Sequence, residues 1–459
     1  MSGAPPASAD VVVVGAGLAG CAAALAAAER GATVCLLEKA DAAGGSSVKA
    51  GGGLLFAGTR LQREHGVEDS AQALRQAIMA AGQDHNDPVA VDVYVANQLA
   101  AYDWIAGLGQ AFSLAPPNGD VSIPRLHAAA PGALTRLLLE RFTAADLGRL
   151  WTGTAARRLV ASDGRVTGVC ASHAGREVRV AARRGVILAT GGFTQSARLL
   201  RTFAPRWADT VAMGGAGNTG DGLVMAMACG AQLADMGYVE GTFGAAAIDF
   251  PGLPVSPATA PRLLFAHSAG AIIVNSAGRR FVNEALGYKV IAGVCARQRD
   301  GIAFQVFDQR VMDSSQPVPS PRDFAGALAD GLLFQAPTLP ALAGLLRIEP
   351  ARLEETVARY NGYVSAGADQ EHGRPLAAAG QLLTPPFYAY PCRAGLTTTY
   401  CGVRVNHRLQ VVNVFDEPIP GLYAAGEVTG GFHGAGYLTG TGLGKAAVFG
   451  RVAGLEAAG

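Results

Sequence analysis

The stretch from Asp10 to Glu38, DVVVVGAGLAGCAAALAAAERGATVCLLE, constrains this chain more than any other. Val11 to Val14 form an unbroken apolar run, the pattern of a strand buried on both faces of a parallel sheet. Gly15-Ala16-Gly17-Leu18-Ala19-Gly20 follows at once, then an alanine-rich helical segment to about Arg30, closed by Gly31. A second apolar strand, Thr33 to Leu37, ends on Glu38. Strand, glycine turn, helix and strand in this order make a dinucleotide-binding unit. Gly15 permits the tight turn, Gly17 lets backbone N–H groups approach a pyrophosphate, and Gly20 lets the helix pack close to the strand. The helix N-terminus then faces the anion. An acid about 20 residues on meets a ribose hydroxyl, and Glu38 lies 18 residues beyond Gly20. Gly15 to Gly20, Glu38 and the adjacent Lys39 are therefore expected to hold a dinucleotide.

The next stretch, KADAAGGSSVKAGGGLLF, places Gly44-Gly45-Ser46-Ser47 and Gly51-Gly52-Gly53 directly after the ribose-binding strand. It resembles the two-dinucleotide-binding-domain flavoproteins, in which such a segment runs past the pyrophosphate towards the isoalloxazine ring. Far along the chain, Gly421-Leu-Tyr-Ala-Ala-Gly426-Glu427 resembles the segment of these proteins that returns to FAD. Gly440 to Leu443, through Gly442, would set backbone N–H groups at the start of the last helix towards the flavin pyrimidine oxygens. The resemblance also implies adenine contacts near Ala155 and Ala156, a strand-to-glycine turn at Ala189-Thr190-Gly191, and a turn at Gly217-Asn-Thr-Gly-Asp221-Gly222 that abuts the cofactor. Succinate-dehydrogenase flavoproteins attach FAD through a histidine in the second glycine segment. None stands between Gly44 and Gly53, so the expected cofactor is non-covalent FAD.

Composition bounds the rest. The chain has 459 residues, 50% of them hydrophobic and 16% charged, with 61 glycines, which suits a large α/β enzyme. A net charge of +1 gives no electrostatic case for nucleic acid or an anionic membrane. The N-terminal MSGAPPASAD has no basic or apolar signal region, and no run approaches the ~18 apolar residues of a membrane span. The seven cysteines contain no C-x-x-C. A soluble, cytoplasmic protein without a metal site is expected.

Helical patterns cover Ser70 to Ala81, Pro88 to Gly107 and Leu134 to Ala144, with a proline-containing loop from Pro116 to Pro131 that carries Arg125 and His127. Short strands follow at Val166 to Ala171, Glu177 to Ala182 and Gly185 to Ala189. Residues 240 to 262 read as loop, Ala271 to Asn275 as a strand, and Thr338 to Leu346 and Pro350 to Tyr363 as helices. The expected fold is α/β: a Rossmann-like FAD domain in two parts, 1–234 and 389–459, with an inserted α+β cap domain at 235–388.

Gly15 to Glu38, Gly44 to Gly53, Gly217 to Gly222, Gly278 to Glu284 and Gly421 to Gly444 together resemble the fumarate reductase/succinate dehydrogenase flavoprotein superfamily, over nearly the whole chain. The resemblance implies a cap that closes over substrate and hydride movement between flavin N5 and a C–C bond beside an activating group. Three dicarboxylate-handling positions depart from the fumarate pattern. Tyr288 stands where those enzymes carry an arginine acid four residues after R-F-x-N-E. Tyr437 replaces the arginine of H-G-x-N-R, and Thr398 replaces the histidine before T-x-G-G. Fumarate or succinate is therefore not the expected substrate.

The tyrosine pair is similar to that of the 3-ketosteroid dehydrogenase branch. That likeness implies that Tyr437, with a backbone N–H near Gly440 or Thr441, polarises a ketone oxygen. Tyr288 would take the α-proton and flavin N5 the β-hydride, yielding an enone. An ordinary tyrosine pKa of ~10 means Tyr288 needs help, with Lys289 and His267 as candidates. Tyr400 and His127 are candidate substrate contacts. Arg262 and Arg393 are surface charges or carboxylate clamps, and His433 is structural. The turn from Tyr437 to Gly442 is nearer the Δ4 than the Δ1 steroid enzymes and is also similar to tricarballylate dehydrogenases. The expected substrate is a 3-oxosteroid or a smaller cyclohexanone or oxocyclohexane carboxylate, with an unidentified electron acceptor. Enone or enoate reduction, or oxidation of a tricarballylate, is the alternative.

Overall fold

The structure is a computed structural model of the chain. It describes residues 4–116, 121–130, 132–239, 241–253, 262–317, 320–377 and 379–459. Two compact units divide it: Met1–Ala204 with Gly214–Val239 and Thr398–Gly459, and Pro205–Met213 with Glu240–Thr397.

The first unit is built on a mostly parallel sheet. Its strand order is Gln410–Val412, Pro418–Ala424, Arg176–Leu188, Ser8–Val14, Val34–Leu37, Gly148–Trp151. Val11 to Val14 are buried, as their apolar run requires, and pair in parallel with Val34 to Leu37 on one side and Gly185 to Leu188 on the other. The two strands expected at 177–182 and 185–189 are one, Arg176–Leu188. Its first half also carries an antiparallel meander with Arg165–His173 and Thr154–Ser162. A register shift between Ala9 and Val11 absorbs the apparent break at Arg183-Arg184.

Helix Leu18–Glu29 is buried from Leu18 to Ala28. A helix without a polar face needs neighbours all round it, and its alanines let them come close. The C-terminal helix, Thr441–Ala458, crosses it at backbone distance. A Cβ on Gly450 would stand 2.3 Å from the Ala19 carbonyl oxygen, and one on Gly454 2.3 Å from that of Ala23.

The loop expected between Pro116 and Pro131 contains a strand, Leu126–Ala128, between Gly53–Leu55 and Ser113–Leu114 in a small antiparallel sheet. Residues 117–120 and 131 of that loop lie outside the described residues.

The second unit centres on the buried strand Phe387–Leu396. Ile302–Asp308 pairs with it along its length, and Thr242–Ala246, Phe334–Ala336 and Val211–Ala212 complete its partners. The strand Thr242–Ala246 lies within the expected loop at 240–262. Its sequence, TFGAA, has no alternation to announce a strand, because all five residues are buried. Residue 240 and residues 254–261 lie outside the described residues. The chain stays in this unit through Thr397, beyond the expected boundary at 388, because Phe387–Leu396 is its central strand. Helices Leu339–Leu346 and Pro350–Ala366 cover the sheet, burying Leu342, Leu346, Leu353, Val357 and Tyr360 against Ile272, Val274, Phe304 and Val306. Among the described residues, no helix is long and apolar enough to cross a membrane, and no group of acidic, histidine or cysteine side chains could hold a metal ion.

Candidate cofactor and active site

The glycine turn has the close approaches its spacing implies. Gly15 has φ +101°, and a Cβ there would lie 2.4 Å from the Ala189 carbonyl oxygen. A Cβ on Gly20 would meet the Gly15 carbonyl oxygen at 1.8 Å, so any other residue would push the helix off the strand. Gly17 begins helix Leu18–Glu29 without a side-chain cap, leaving the first-turn amides, from Leu18, Ala19 and Gly20, without obligate helical partners. Glu38 is buried and held at two points. Its Oε2 accepts from Ala16 N at 2.8 Å and its Oε1 from Ala40 N at 2.9 Å. A carboxylate fixed in this way keeps further acceptor capacity for hydroxyl groups.

The second glycine segment is stitched to this turn. Gly44 N donates to the Ala16 carbonyl at 2.9 Å, and Ser47 Oγ accepts from Leu18 N at 3.2 Å. Gly44, Gly45 and Gly52 have positive φ, and a Cβ on Gly52 would strike the Ala129 carbonyl oxygen. Among the described residues, nothing lies within 4 Å of a Cβ on Gly51. Leu18, Ser47, Gly52, Leu54, Thr135 and Leu443 line one pocket, which brings the two glycine segments and the start of the last helix together. Thr190 Oγ1, beside Gly222, is buried without a hydrogen-bond partner among the described residues. The glycine start of helix Leu18–Glu29, the anchored Glu38 carboxylate and the unpartnered Thr190 hydroxyl fit FAD.

Other expected cofactor residues are tied to one another. Lys39 Nζ bonds Asp221 Oδ2 at 2.6 Å and Thr219 Oγ1 at 2.5 Å, so this pair cross-links the second strand to the turn at Gly217–Gly222. Ala156 is buried and pairs with Ala171. Gly426 has φ +79° and packs on Ala19. Asn218, not singled out in the sequence, is a hub. Its Oδ1 accepts from Thr194 N at 2.7 Å, and its Nδ2 donates to Glu427 Oε2 at 2.8 Å and to Ser46 Oγ at 3.4 Å. Glu427 Oε1 in turn accepts from Thr399 N at 2.9 Å. Gly191 and Gly192 are obligatory here, since a Cβ on either would enter this cluster.

Next along the chain from Thr399, Tyr400 stacks on Tyr437 with ring centroids 5.6 Å apart and planes 10° apart. His433 lies 5.1 Å from Tyr400 and 5.2 Å from Tyr437. The structure thus joins these three expected residues in one aromatic cluster. Gly442 N donates to the Tyr437 hydroxyl oxygen at 3.2 Å. Gly440, φ +91°, begins the C-terminal helix, and its carbonyl accepts from Leu55 N. Thr441, expected near the substrate, lies at the helix start. It is fully buried, and both its N–H and its hydroxyl donate to the Leu438 carbonyl, the geometry of a helix start.

Two buried neighbours escaped the sequence reading. Tyr94 donates its hydroxyl to the Leu55 carbonyl, and burial, with Tyr437 nearby, holds it well above the usual tyrosine range. Lys445 Nζ donates to the Thr429 carbonyl at 2.9 Å, and burial pulls it down to about 8 against the opposing pull of Glu427 and Asp235. Their only signal was the small-residue spacing of the last helix, where a Cβ on Gly444 would meet the Tyr94 hydroxyl.

His127, expected as a substrate contact, is placed in the core. It is fully buried among Phe56, Tyr102 and Phe112. Its Nδ1–H donates to the Arg125 carbonyl at 2.8 Å, and its Nε2 accepts from Thr59 Oγ1 at 2.8 Å. Both ring nitrogens are engaged, and burial lowers its pKa. Arg125 is equally internal, with two bonds to Asp69.

In the second unit, Tyr288 is the first residue of helix Tyr288–Cys295. Its ring stacks on Phe265, centroids 5.4 Å apart and planes 20° apart, and Lys289 Nζ lies 5.7 Å from its centroid. Of the two expected helpers, His267 supplies no charge at neutral pH, because burial lowers it to about 4. Lys289 is the adjacent cation. Arg262 is bound by Asp323 and Asp330, and Arg393 by Asp249 and the Asp300 carbonyl. Both guanidinium groups form ion pairs within the second unit, Arg262 with Asp323 and Asp330 and Arg393 with the exposed Asp249.

Comparison with known proteins agrees with this architecture. Residues 10–443 match the FAD binding domain family. The chain is 30% identical over 465 residues to an NADH:fumarate oxidoreductase of Klebsiella pneumoniae, covering 99% of this chain but 48% of that protein. It is 32% identical over 463 residues to a fumarate reductase (cytochrome) of Shewanella frigidimarina, covering 100% of this chain and 78% of that one. The chain thus spans about half the length of the first relative and about three quarters of the second. Among solved structures, a 3-ketosteroid-Δ4-(5α)-dehydrogenase from Rhodococcus jostii RHA1 matches with a TM-score of 0.75 and 27% identity, over 100% of this chain and 98% of that one. The chain belongs to the FAD binding domain family and is an FAD-binding oxidoreductase of the superfamily that contains the fumarate reductases and ketosteroid dehydrogenases.

Proposed function

We propose that this protein desaturates the bond α,β to a ketone, with Tyr437 as hydrogen-bond donor to the ketone oxygen and Tyr288 as acceptor of the α-proton. The observation that carries this reading is the placement of Tyr437. Its hydroxyl oxygen accepts from Gly442 N at the start of the C-terminal helix, at the position where fumarate reductases carry an arginine. Accepting that bond polarises the hydroxyl, and the helix N-terminus adds positive potential. Both strengthen donation to an oxygen on which enolate charge develops. A ketone needs only such a donor, whereas a dicarboxylate needs charged partners, and Arg262 and Arg393 are already paired with Asp323 and Asp249. The related Rhodococcus enzyme was solved with 4-androstene-3,17-dione, an enone.

In the second unit, the Tyr288 ring is held against Phe265 beside Lys289. A tyrosine hydroxyl in this position is the residue this reading assigns to take the proton. Bound FAD supplies the acceptor for the hydride that leaves the β-carbon, so that loss of the α-proton and the hydride leaves a C=C bond. The substrate fitted best is a cyclic ketone, steroid or smaller. A second reading runs the same residues backwards as an enone or enoate reductase. It is favoured by the relatives from Klebsiella and Shewanella, both of which are named for fumarate chemistry.

Anaerobic mixing of the yellow protein with cyclohexanones, saturated 3-oxosteroids, succinate and tricarballylate tests the reading. Bleaching of the flavin by a ketone and by neither acid is expected. Bleaching by an acid alone, or by nothing while fumarate reoxidises the chemically reduced protein, would overturn it. Reoxidation by enones without ketone bleaching would select the reverse direction.

A further inference from the structure

The R-F-x-N-E motif, Arg280 to Glu284, has no part in the reaction above, yet it forms the densest buried charge cluster described in the second unit. The side chains of Arg280, Glu284 and Asp369 are all 0% exposed. Arg280 donates to Glu284 at 2.8 and 2.7 Å and to Asp369 at 3.2 and 2.8 Å, two bidentate pairs on one guanidinium. Arg374 stands 3.5 Å from Glu284, and the Tyr360 ring has Arg280 at 5.0 Å and Arg374 at 5.6 Å. Taking such charges out of water costs roughly what their attraction returns, so the cluster need not be there for net stability.

The geometry it fixes is that of Tyr288. Glu284 Oε1 also accepts from Ile273 N, and Asn283 Nδ2 donates to the Gly373 carbonyl. The residue four before Tyr288 is therefore pinned to the sheet and to the 369–374 turn. Arg374 donates to the carbonyls of Ala271 and His267, and His267 is two residues from Phe265, against which Tyr288 stacks. Both partners of the stack thus hang from one cluster, Tyr288 through Glu284 and Phe265 through Arg374.

We propose that the Arg280–Glu284–Asp369–Arg374 cluster is a positioning device that sets the placement of the Tyr288 ring; its effect on rate rests on the role given to Tyr288 above. Holoenzyme labelled with 3-fluorotyrosine provides a direct test, with the Tyr288 resonance identified by its loss in Tyr288→Phe. Glu284→Gln keeps the side-chain volume and should move that resonance towards its position in Phe265→Ala, with FAD content unchanged. A resonance at its wild-type position overturns the proposal. Should Glu284→Gln fail to accumulate, Asp369→Asn, which leaves Arg280 one bidentate partner, is judged by the same shift. With cyclohexanone as probe, or the ketone that bleaches the flavin, displacement of the ring should cost about 10²-fold in reduction rate. The loss should not multiply with that of Tyr288→Phe. A multiplicative double variant would reduce the cluster to a folding role. If the resonance moves but Tyr288→Phe reduces at the wild-type rate, the positioning stands and the role of Tyr288 in the reaction falls.

Discussion

The backbone N–H of Gly442 donates to the hydroxyl oxygen of Tyr437 at 3.2 Å, five residues back along the chain. That bond aims a tyrosine from the start of the C-terminal helix and leaves the C-terminal helix itself intact. Tyr437→Phe should therefore retain FAD and the fold while slowing flavin reduction by a ketone on the order of 10²–10³-fold, the usual cost of one lost donor to developing charge. Tyr288→Phe removes a proton acceptor and should cost typically ~10²–10⁴-fold. Stopped-flow reduction measures both, and α-deuterated substrate should show the larger isotope effect in Tyr288→Phe. Wild-type rates in both variants would reduce the pair to packing.

Glu38 is buried and already accepts from Ala16 N and Ala40 N, so its removal acts on the turn as well as on a bound ribose. Glu38→Ala should weaken FAD binding by roughly 1.5–3 kcal/mol, the worth of a charged acceptor. Fluorescence titration of apoprotein checks this. Acid precipitation of the wild type should release all flavin to the supernatant, since no histidine stands between Gly44 and Gly53; yellow pellets would contradict non-covalent binding.

Lys445 supplies a pH signature. Burial lowers its pKa from 10.5 to about 8. Between those values the unfolded chain binds the proton that the folded protein has lost, so this group makes stability rise with pH across that window. Below about pH 8 both states hold the proton, and the cost of burying the ammonium is felt in full, roughly 3 kcal/mol. The unfolding midpoint of wild type relative to Lys445→Met should therefore climb from pH 8 towards pH 10. A flat or falling difference would show that Thr429, Glu427 and Asp235 compensate the charge completely.

Gly454 tests the helix crossing. A methyl group there would lie 2.3 Å from the Ala23 carbonyl oxygen, so Gly454→Ala should cost about 1–3 kcal/mol through overpacking. Gly344, inside helix Leu339–Leu346, has no described atom within 4 Å of its would-be Cβ. Gly344→Ala should instead be neutral or gain up to ~1 kcal/mol from helix propensity. Urea unfolding of the two variants reads both signs.

The sequence by itself determined whatever depends on neighbours along the chain. The turn from Gly15 to Gly20, the buried valines before it and the acid at Glu38 declared a dinucleotide unit because glycine conformation, strand burial and helix start are local requirements. The same holds for Ser70 and Thr338, which cap the helices beginning one residue later. Tertiary structure decided which polar groups are satisfied from afar. His127 stands in a proline-flanked segment, but Phe56, Tyr102 and Phe112 enclose it and Thr59 takes its second nitrogen. Arg280 finds Asp369 across 89 residues, Asn218 finds Glu427 across 209, and Lys445 is buried against Thr429. Burial and pairing of this kind follow from which strands and helices come to lie together, and no local period or turn signal encodes that.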